Sequence, residues 1–388
     1  MAFISSNINR GYHLPLSFPI LWQCYVDYMS TQLNADATKH DNNERVVSMK
    51  KIKAVVYGVG TMNSIITRML LDKGVEIIGA ISRSPAKNGK DLGELTGLGR
   101  QLGVAVSNDA AEVLSRGADI AVIAVNSYMS DAQEQLRLCA EHGVNAVTLS
   151  EEALYPWETS PEITAELDGI AKRTGVTLTG SGHQDSYWLN MVSMLMGTTH
   201  RIDHVLGQAS WNVDDYGPEL AREQQVGTTA EQFNTWLESA SRPPTFGRNV
   251  LDALVADTGL TPMSITTTSR PVLATEPLPV ASLGITVAVG DVLGFTDIDE
   301  IKTSEGPSFV FEMTGCVYRP DQADMNHWKI AGEPEVELSN GAVPTAMTTC
   351  AQLVNRIPDV INAKPGFTTA EKLPRLRYRA FSLETYLS

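Results

Sequence analysis

Residues 51–63, KIKAVVYGVGTMN, decide the fold that the sequence predicts. The first seven of them form a short apolar run typical of a buried β-strand, and Gly58 and Gly60 follow directly. Apolar side chains then recur at helical spacing up to Gly74: Ile65, Ile66, Met69 and Leu70. A strand, a glycine loop and a helix in this order indicate the first unit of a dinucleotide-binding fold.

The glycine loop predicts how a pyrophosphate would be bound. The first glycine permits a tight turn, and the second lets backbone N–H groups approach the phosphates at the helix N-terminus. Asn63 stands where this fingerprint usually has a third small residue, so the match is imperfect and a purely structural turn is the alternative. We expect five residues of the loop to bind the cofactor: Gly58, Gly60, Thr61, Met62 and Asn63.

Strands and helices alternate in the prediction through residue 182. Further strand-like runs lie at residues 75–81, 104–106, 119–125, 145–149 and 176–179. Ser130 with Gln133 predicts a capping box at the start of one intervening helix, and Ser160 with Pro161 predicts the N-cap and first turn of another. Repeated units of this kind predict a Rossmann-type doubly wound parallel sheet, joined by right-handed crossovers.

Two further loops should border the cofactor, because strand carboxyl ends face the ligand crevice of such a sheet. Ser82, Arg83 and Ser84 follow the second strand, where NAD-selective sites usually carry an acid. An arginine with two hydroxyls suits a 2′-phosphate, so NADP is favoured and NAD is the second option, while a solvated loop arginine is the alternative. A later strand ends in three residues that we expect beside the nicotinamide ribose: Val125, Asn126 and Ser127.

Two adjacent acids, Glu151 and Glu152, follow the strand at residues 145–149 and are the strongest candidates for chemistry. Near a nicotinamide ring and apolar walls, a carboxyl group can have a raised pKa and act as a general acid or base. Both acids also suit the start of a helix after Ser150, where the helix dipole favours negative charge. Neighbouring helical residues point about 100° apart, so only one faces the nicotinamide easily. We predict Glu151 as catalytic and keep Glu152 as the alternative.

A third cluster, GSGHQDSYW at residues 180–188, leads from the last strand into an apolar helix. Its glycines permit a tight crossing between domains. His183 could bind substrate or relay a proton, and a hydrogen-bonded interdomain histidine is the alternative. Tyr155, Tyr187 and Trp188 are predicted to line the substrate pocket, although large aromatic side chains are equally common in cores.

The pattern changes after residue 200. Strand-like runs follow one another at residues 201–213, 264–268, 285–289, 308–318 and 335–338, with helical stretches near 229–239 and 248–257. This predicts an α+β domain with a mostly antiparallel sheet, helices on one face and a broad surface for a homodimer. We divide the chain into a dinucleotide-binding domain (49–182), a substrate and dimerisation domain (183–342), and a return helix and tail (343–388) that pack on the first domain.

The charge balance limits the partners. The chain has 30 Lys and Arg against 45 Asp and Glu, a net charge of −15, which disfavours nucleic acids and anionic membranes. Its 4 cysteines have neither metal-type nor redox-type spacing, so we expect no metal site and a cytoplasmic location. Residues 1–48 contain a polar stretch without periodicity and are predicted to be an extension without a catalytic role.

Several motifs resemble those of 2,4-diaminopentanoate dehydrogenases and the native amine dehydrogenases close to them. They are GVG at 58–60, VEIIGAI at 75–81, GKDLGE at 89–94, EEALYPW at 151–157, NRIP at 355–358 and PGF at 365–367. The resemblance extends from about residue 50 to the C-terminus, and the Glu-Glu-x-x-Tyr-Pro block is its most specific part.

The resemblance implies a dihydrodipicolinate-reductase-like fold, a dimer, and NAD(P)H-dependent interconversion of an amine with a ketone or aldehyde plus ammonia. A glutamate acts in the pocket of that family, and we place it at Glu151 with Glu152 in reserve. The loop GHQD at 182–185 departs from the Asn-Pro-Gly type of many diaminopentanoate enzymes, which favours simple amines over a diamine.

Three other functions fit the sequence less well. True dihydrodipicolinate reductases carry paired histidines, which this sequence lacks. Homoserine dehydrogenases would have a lysine where Glu151 stands. A non-catalytic NADP-binding sensor would tolerate loss of both acids, whereas an acid pair at a strand carboxyl end favours catalysis.

Overall fold

Strands and helices alternate through the first half of the structure. The computed structural model describes residues 50–238 and 242–388, so the predicted extension at 1–48 lies outside the described residues. The elements of the first half are β1 (Lys53–Tyr57), α1 (Thr61–Asp72), β2 (Glu76–Ile81), α2 (Leu92–Leu95), β3 (Val106–Ser107), α3 (Ala110–Leu114), β4 (Ile120–Ile123), α4 (Met129–Glu141), β5 (Asn145–Thr148), α5 (Pro161–Thr174) and β6 (Thr177–Gly180).

The second half consists mainly of strands. It begins with a π-helical segment at Gln184–Asn190. The elements that follow are α6 (Met191–Met196), β7 (Arg201–Asn212), α7 (Pro218–Glu223), α8 (Ala230–Leu237), α9 (Phe246–Thr258), β8 (Pro262–Leu273), β9 (Leu278–Val280), β10 (Ile285–Val287), β11 (Val292–Thr303), β12 (Ser308–Cys316), β13 (Met325–Glu333), β14 (Val336–Gly341), α10 (Thr345–Asn362) and β15 (Gly366–Phe367).

The first sheet is the predicted doubly wound parallel sheet. Its strand order is β15-β6-β5-β4-β1-β2-β3, and β1 pairs in parallel with both β2 and β4. Val55 and Val56 point to opposite faces and are both fully buried, because helices cover the sheet on each side. The loops that follow β1, β2 and β4 therefore meet at one edge of the sheet, where the cofactor residues were predicted.

The second sheet is mostly antiparallel, as predicted. Its order is β14-β13-β7-β12-β11-β8, and only the β7–β12 pair is parallel among the strands that the structure describes. One face is covered by α9 and the segment 184–196, which bury Phe309, Phe311 and Trp328. The sheet also contains β11 and β13, which the sequence did not predict as strands. The predicted fold class is confirmed.

The C-terminal residues return to the first sheet. Helix α10 packs against α1, and Leu353 and Ile357 lie in the same apolar cluster as Ile66 and Leu70. Strand β15, which was not predicted, pairs in parallel with β6 and extends the sheet by one strand. Strand β15 is therefore one edge strand of the first sheet, and β3 is the other.

A buried ion pair fixes the crossing between the two sheets. Asp185 and Arg356 are both fully buried, and their side chains form two hydrogen bonds of 2.9 and 2.6 Å. Gln352 also donates to Asp185, at 2.6 Å. Arg379 from the tail donates to Asp359 at 2.7 Å, one turn further along the same helix. The crossing, the return helix and the tail are thus held by one polar network.

Two further observations concern the whole described part of the chain. None of its helices combines the length and the apolar character that crossing a bilayer requires. Its cysteines, Cys139, Cys316 and Cys350, are buried thiols, and burial raises the pKa of each. Cys24 lies outside the described residues.

Candidate functional site

The glycine loop between β1 and α1 has the shape that a pyrophosphate needs. Gly58 has a φ of +91°, and a Cβ at this position would lie 2.6 Å from the carbonyl oxygen of Ala124 and from Cγ1 of Val125. Gly60 is the N-cap of α1, and its missing side chain leaves open space within 4 Å. The first turn of α1, with the exposed Thr61 and half-buried Met62, therefore presents backbone N–H groups to a ligand. These features fit a dinucleotide.

Asn63 lies beneath this loop rather than on its surface. Its side chain is fully buried, and Nδ2 donates to the carbonyl oxygens of Tyr57 at 3.0 Å and Gly58 at 2.7 Å. The amide thus replaces the usual third small residue by tying the loop to the end of β1. We predicted Asn63 as a cofactor contact, and the geometry gives it a positioning role instead.

The loop after β2 lies beside the glycine loop. The N–H of Gly58 donates to the carbonyl oxygen of Ile81 at 2.8 Å, so the two loops begin side by side. Ser82 is buried, and its Oγ accepts the N–H of Ser84 at 3.3 Å. Arg83 is exposed, and its guanidinium lies beside the side-chain amide of Gln135 on α4. Of these three residues, Arg83 is the most exposed to solvent.

The loops after β4 and β5 are tied to each other. Ser150 Oγ donates to the carbonyl oxygen of Asn126 at 2.8 Å. The N–H of Glu152 donates to the carbonyl oxygen of Ser127 at 3.1 Å. Val125 is partly exposed and lies against Gly58. The predicted nicotinamide-side residues and the two acids therefore form one connected edge of the site.

Glu152 has a structural environment. The side chain is 2% exposed, and its Oε1 accepts hydrogen bonds from Thr159 at 2.7 Å and Ser160 at 2.6 Å. Its Oε2 accepts the N–H of Met129, the first residue of α4, at 2.7 Å. With both oxygens occupied inside the protein, Glu152 acts as an external cap for α4.

This cap corrects the predicted capping box. The sequence placed the N-cap of α4 at Ser130, but the N-cap residue is Tyr128, two positions earlier, and it provides no side-chain cap. Gln133 donates to the carbonyl oxygen of Ser130 instead. The prediction was wrong because a carboxylate 23 residues further along the chain satisfies the free N–H. The predicted N-cap Ser160 of α5 is confirmed in position, although its hydroxyl serves Glu152.

Glu151 has a different environment from its neighbour. It is half-buried, and burial raises the pKa of its carboxyl to about 7, while the Ser127 side chain and a backbone N–H only partly offset that effect. Negative charge at Glu151 also contributes to the raised pKa values of Tyr128 and Tyr216, after the larger effects of burial and of other acids. Glu151 therefore lies near two tyrosines that keep their hydroxyl protons.

Two cavities adjoin these tyrosines. One of about 340 Å³ is lined by Ser127 and Tyr128, by the polar groups of Glu223, Arg242 and Asp297, and by apolar side chains that include Trp211, Phe246, Phe295 and Met313. The other, of about 660 Å³, is lined by Tyr216, by Tyr318 and Asp324 from the segment after β12, and by Met347 in the first turn of α10. Both volumes suit a small molecule. Tyr128, Trp211 and Tyr216 were not predicted, since only the fold brings them to these cavities.

His183 is part of the packed region between the sheets. It is 5% exposed, lies 3.4 Å from both Thr348 and Asn326, and stacks on Tyr187 at 4.4 Å. Burial lowers the pKa of its imidazole to about 4, so the ring is neutral near pH 7. Trp188 is also buried and donates to the same Asn326. This is the environment of a hydrogen-bonded interdomain histidine, the alternative raised above.

Tyr155 lies in the same apolar cluster as Tyr187 and Trp188, two other predicted substrate residues. The carbonyl oxygen of Tyr155 accepts a hydrogen bond from Asn249 at 3.0 Å, and its side chain packs with the core of the second sheet. Burial raises the pKa of its hydroxyl to about 12, and the charged groups that add to this shift are Glu371, Glu158 and Asp252. The structure therefore does not place the Tyr155 hydroxyl with Tyr128 and Tyr216.

Comparison with known proteins tests the predicted family. The profile of the 2,4-diaminopentanoate dehydrogenase C-terminal domain matches residues 188–382, half of the chain. The solved structure of an amine dehydrogenase from Mycobacterium smegmatis is 68% identical, covers 86% of this chain and 98% of its own, and superposes with a TM-score of 0.82. The chain belongs to the 2,4-diaminopentanoate dehydrogenase and amine dehydrogenase family.

Two more distant similarities agree with this membership. The 2,4-diaminopentanoate dehydrogenase of Acetoanaerobium sticklandii is 28% identical over 343 residues, which cover 84% of this chain and 94% of that protein. A probable dehydrogenase from Thermotoga maritima shares 12% identity at a TM-score of 0.54, covering 86% and 93% of the two chains, and shows the fold alone. The predicted family and the prediction of an oxidoreductase are confirmed for this member of the family.

Proposed function

We propose that this family member is an NAD(P)H-dependent amine dehydrogenase. It would catalyse reductive amination of a ketone or aldehyde with ammonia, and the reverse oxidative deamination. The observation that carries the proposal is Glu151, whose carboxyl has a pKa of about 7 and lies at a strand carboxyl end near the glycine loop. The 68% identity to an amine dehydrogenase supports the same reaction.

The first-sheet loops would hold the cofactor. Gly58 and Gly60 with the first turn of α1 would bind the pyrophosphate, and Asn63 would keep that loop in place. Arg83 would meet a 2′-phosphate, which supports NADP, with NAD as the second option. When bound, the nicotinamide supplies or accepts the hydride. Val125, Asn126 and Ser127 would border its ribose.

Glu151 would move the proton that the reaction requires. Ionised Glu151 would take a proton from an ammonium ion, and the ammonia that this releases adds to the carbonyl carbon to give a neutral carbinolamine. Protonated Glu151 would return the proton to the carbinolamine hydroxyl, which leaves as water, so that the iminium ion forms beside the ionised carboxylate that stabilises its charge. With a pKa of about 7, the carboxyl can both accept and return that proton near neutral pH. A cationic iminium beside Glu151 would favour the ionised form of its carboxyl.

Glu152 would position the site without taking part in proton transfer. Its oxygens are engaged by Met129, Thr159 and Ser160, so the carboxylate fixes the loop that carries Ser127. The substrate would lie between Glu151, Tyr128 and Tyr216, against the apolar walls of the smaller cavity. Those walls support a simple carbonyl compound, and a 2,4-diaminopentanoate substrate is the second candidate because of the matched family profile.

We infer a homodimer through the second sheet. Its uncovered face carries half-buried polar side chains, among them His204, Gln208 and Glu312, and such a face suits a polar subunit interface. The domain boundaries at 182/183 and 342/343 and a cytoplasmic location remain predictions from the sequence. A non-catalytic sensor would bind the cofactor without turnover.

The test is NADPH oxidation, followed by absorbance, with high ammonium and a panel of ketones and aldehydes such as cyclohexanone and pentanal. Ammonium-dependent oxidation with amine as product is the expected result. Oxidation in ammonium-free controls would indicate a carbonyl reductase instead. NADPH binding without turnover on any member of the panel, and with the diamino acid also inert, would indicate a sensor.

A further inference from the structure

Lys87 reaches from the loop after β2 to the glycine loop. Its Nζ donates a hydrogen bond to the carbonyl oxygen of Val59, which lies between Gly58 and Gly60. Lys87 was not predicted as a cofactor residue, since it stands six residues beyond the end of β2. The contact joins the two loops that would flank the phosphates of a cofactor.

The backbone around Lys87 is fixed. The residue ends a short 3₁₀ turn at Pro85–Lys87, and its N–H donates to the carbonyl oxygen of Ser84 at 3.1 Å. Two residues later, the N–H of Gly89 donates to the carbonyl oxygen of Val106 at 2.8 Å, which attaches the loop to β3. An ammonium held in this way keeps its place before a ligand arrives.

The local charge is opposite to that of the whole chain. Residues 82–90 contain three cations and no acid, although the net charge of the protein is −15. The next acid, Asp91, already accepts backbone N–H groups of Gly93, Leu102 and Gly103. A lysine ammonium has three N–H donors, so the bond to Val59 leaves two for an anion.

We propose that Lys87, together with Arg83, binds the 2′-phosphate of NADP and is the residue that sets the preference for NADP over NAD. The inference rests on the proposed function, because it concerns the cofactor of that same site. Lys87 would supply the fixed charge at the glycine loop, and Arg83, which is exposed in the loop after β2, would supply a second cation. NAD has a hydroxyl in place of the 2′-phosphate, so neither cation would strengthen its binding.

The test compares Lys87→Met with Lys90→Met, an exposed lysine of the same loop that serves as the matched control. Binding of 2′,5′-ADP and of 5′-AMP to the full chain is measured by calorimetry, and kcat/KM is measured with NADPH and NADH. One charge-assisted contact corresponds to about a 10- to 100-fold change in affinity. We expect K87M to weaken 2′,5′-ADP and NADPH by that factor and to weaken 5′-AMP and NADH much less, since these lose only the bond between Lys87 and the glycine loop.

Other outcomes overturn the inference. Equal weakening of 2′,5′-ADP and 5′-AMP would show that Lys87 only ties the two loops together. An unchanged affinity for 2′,5′-ADP in K87M, or an equal effect of K90M, would show that Lys87 does not set the preference for NADP over NAD. The binding assay needs no amine or carbonyl substrate, so its result stands even if the proposed reaction fails.

Discussion

Glu152 caps the helix that begins at Met129: its Oε2 accepts the Met129 N–H at 2.7 Å, from the loop of the neighbouring strand. The adjacent Glu151 makes no such contact with α4 and has a pKa of about 7. Two acids with consecutive numbers thus have separate roles, since one holds the loops of β4 and β5 together and the other is free to exchange a proton.

Glu152→Ala should destabilise the folded protein. The substitution leaves the Met129 N–H and the hydroxyls of Thr159 and Ser160 without their shared acceptor. We expect a loss of about 2–4 kcal/mol in the free energy of unfolding, because buried donors would lose a charged partner. Chemical denaturation measures it, with the exposed Glu158→Ala as control. Equal stability of the two variants would contradict the capping role.

Glu151→Gln should raise stability at alkaline pH. The pKa of this carboxyl is about 7 in the folded chain against 4.5 for the free side chain, so the native state binds the proton more tightly. Its contribution is fully present below pH 4.5 and is lost as pH rises to about 7. After allowance for solvent screening, we expect E151Q to exceed the wild type by on the order of 1–2 kcal/mol at pH 8 and by little at pH 4.5.

Denaturation curves at both pH values, with Glu158→Gln as control, would measure the difference. A gain that is the same at pH 4.5 and pH 8 would mean that the amide forms better contacts and that the carboxyl is not desolvated.

Arg356→Met should be among the most destabilising single changes. The substitution leaves Asp185 as a buried charge without its partner, and such losses cost about 3–5 kcal/mol. Replacing the exposed Arg201, which also pairs with acids, should cost less than about 1 kcal/mol. Denaturant titration compares R356M with R201M. Partial recovery in the double variant D185N/R356M would be expected, and a cost of R356M below that of R201M would refute the role of the network.

Asn63→Gly would restore the usual third glycine of the fingerprint, yet it should weaken the site. The carbonyl oxygens of Tyr57 and Gly58 lose the Nδ2 donor, which costs about 1–3 kcal/mol of stability in a buried position. We expect a lower melting temperature and weaker NADPH binding by fluorescence titration, with the exposed Asn108→Ala as control. Tighter binding in N63G would show that Asn63 is a departure from the fingerprint without a structural purpose.

Strands β1 to β6 of the first sheet could be predicted because each of them signals itself locally, whereas β15 was not predicted. Val55 and Val56 belong to a continuous apolar run, and the glycines and helix caps that separate the strands stand next to them in sequence. Strand β11 gives no such signal, because it carries Asp297 and Asp299 in the buried face of the sheet. Arg242 and the hydroxyls of Thr245 and Thr267 bind these acids from distant parts of the chain, and only the folded structure shows this.

The site was predictable only in part for the same reason. Sequence reasoning located the glycine loop, Arg83 and the acid pair, since each follows a strand. It could not separate Glu151 from Glu152, because the donors to Glu152 lie in α4 and in the turn before α5. Tyr128 and Tyr216 were not predicted either, because their closeness to Glu151 depends on how the loops after β4, β5 and β7 come together in the fold.

The most direct measurement is the rate of ammonium-dependent amine formation in Glu151→Gln at saturating NADPH, with NADPH affinity and melting temperature measured on the same preparation. If Glu151 moves the proton, the rate should fall about 100- to 10,000-fold while NADPH affinity and folding are retained, and E158Q should match the wild type. An E151Q enzyme that keeps its rate within tenfold of the wild type would contradict the assignment of Glu151.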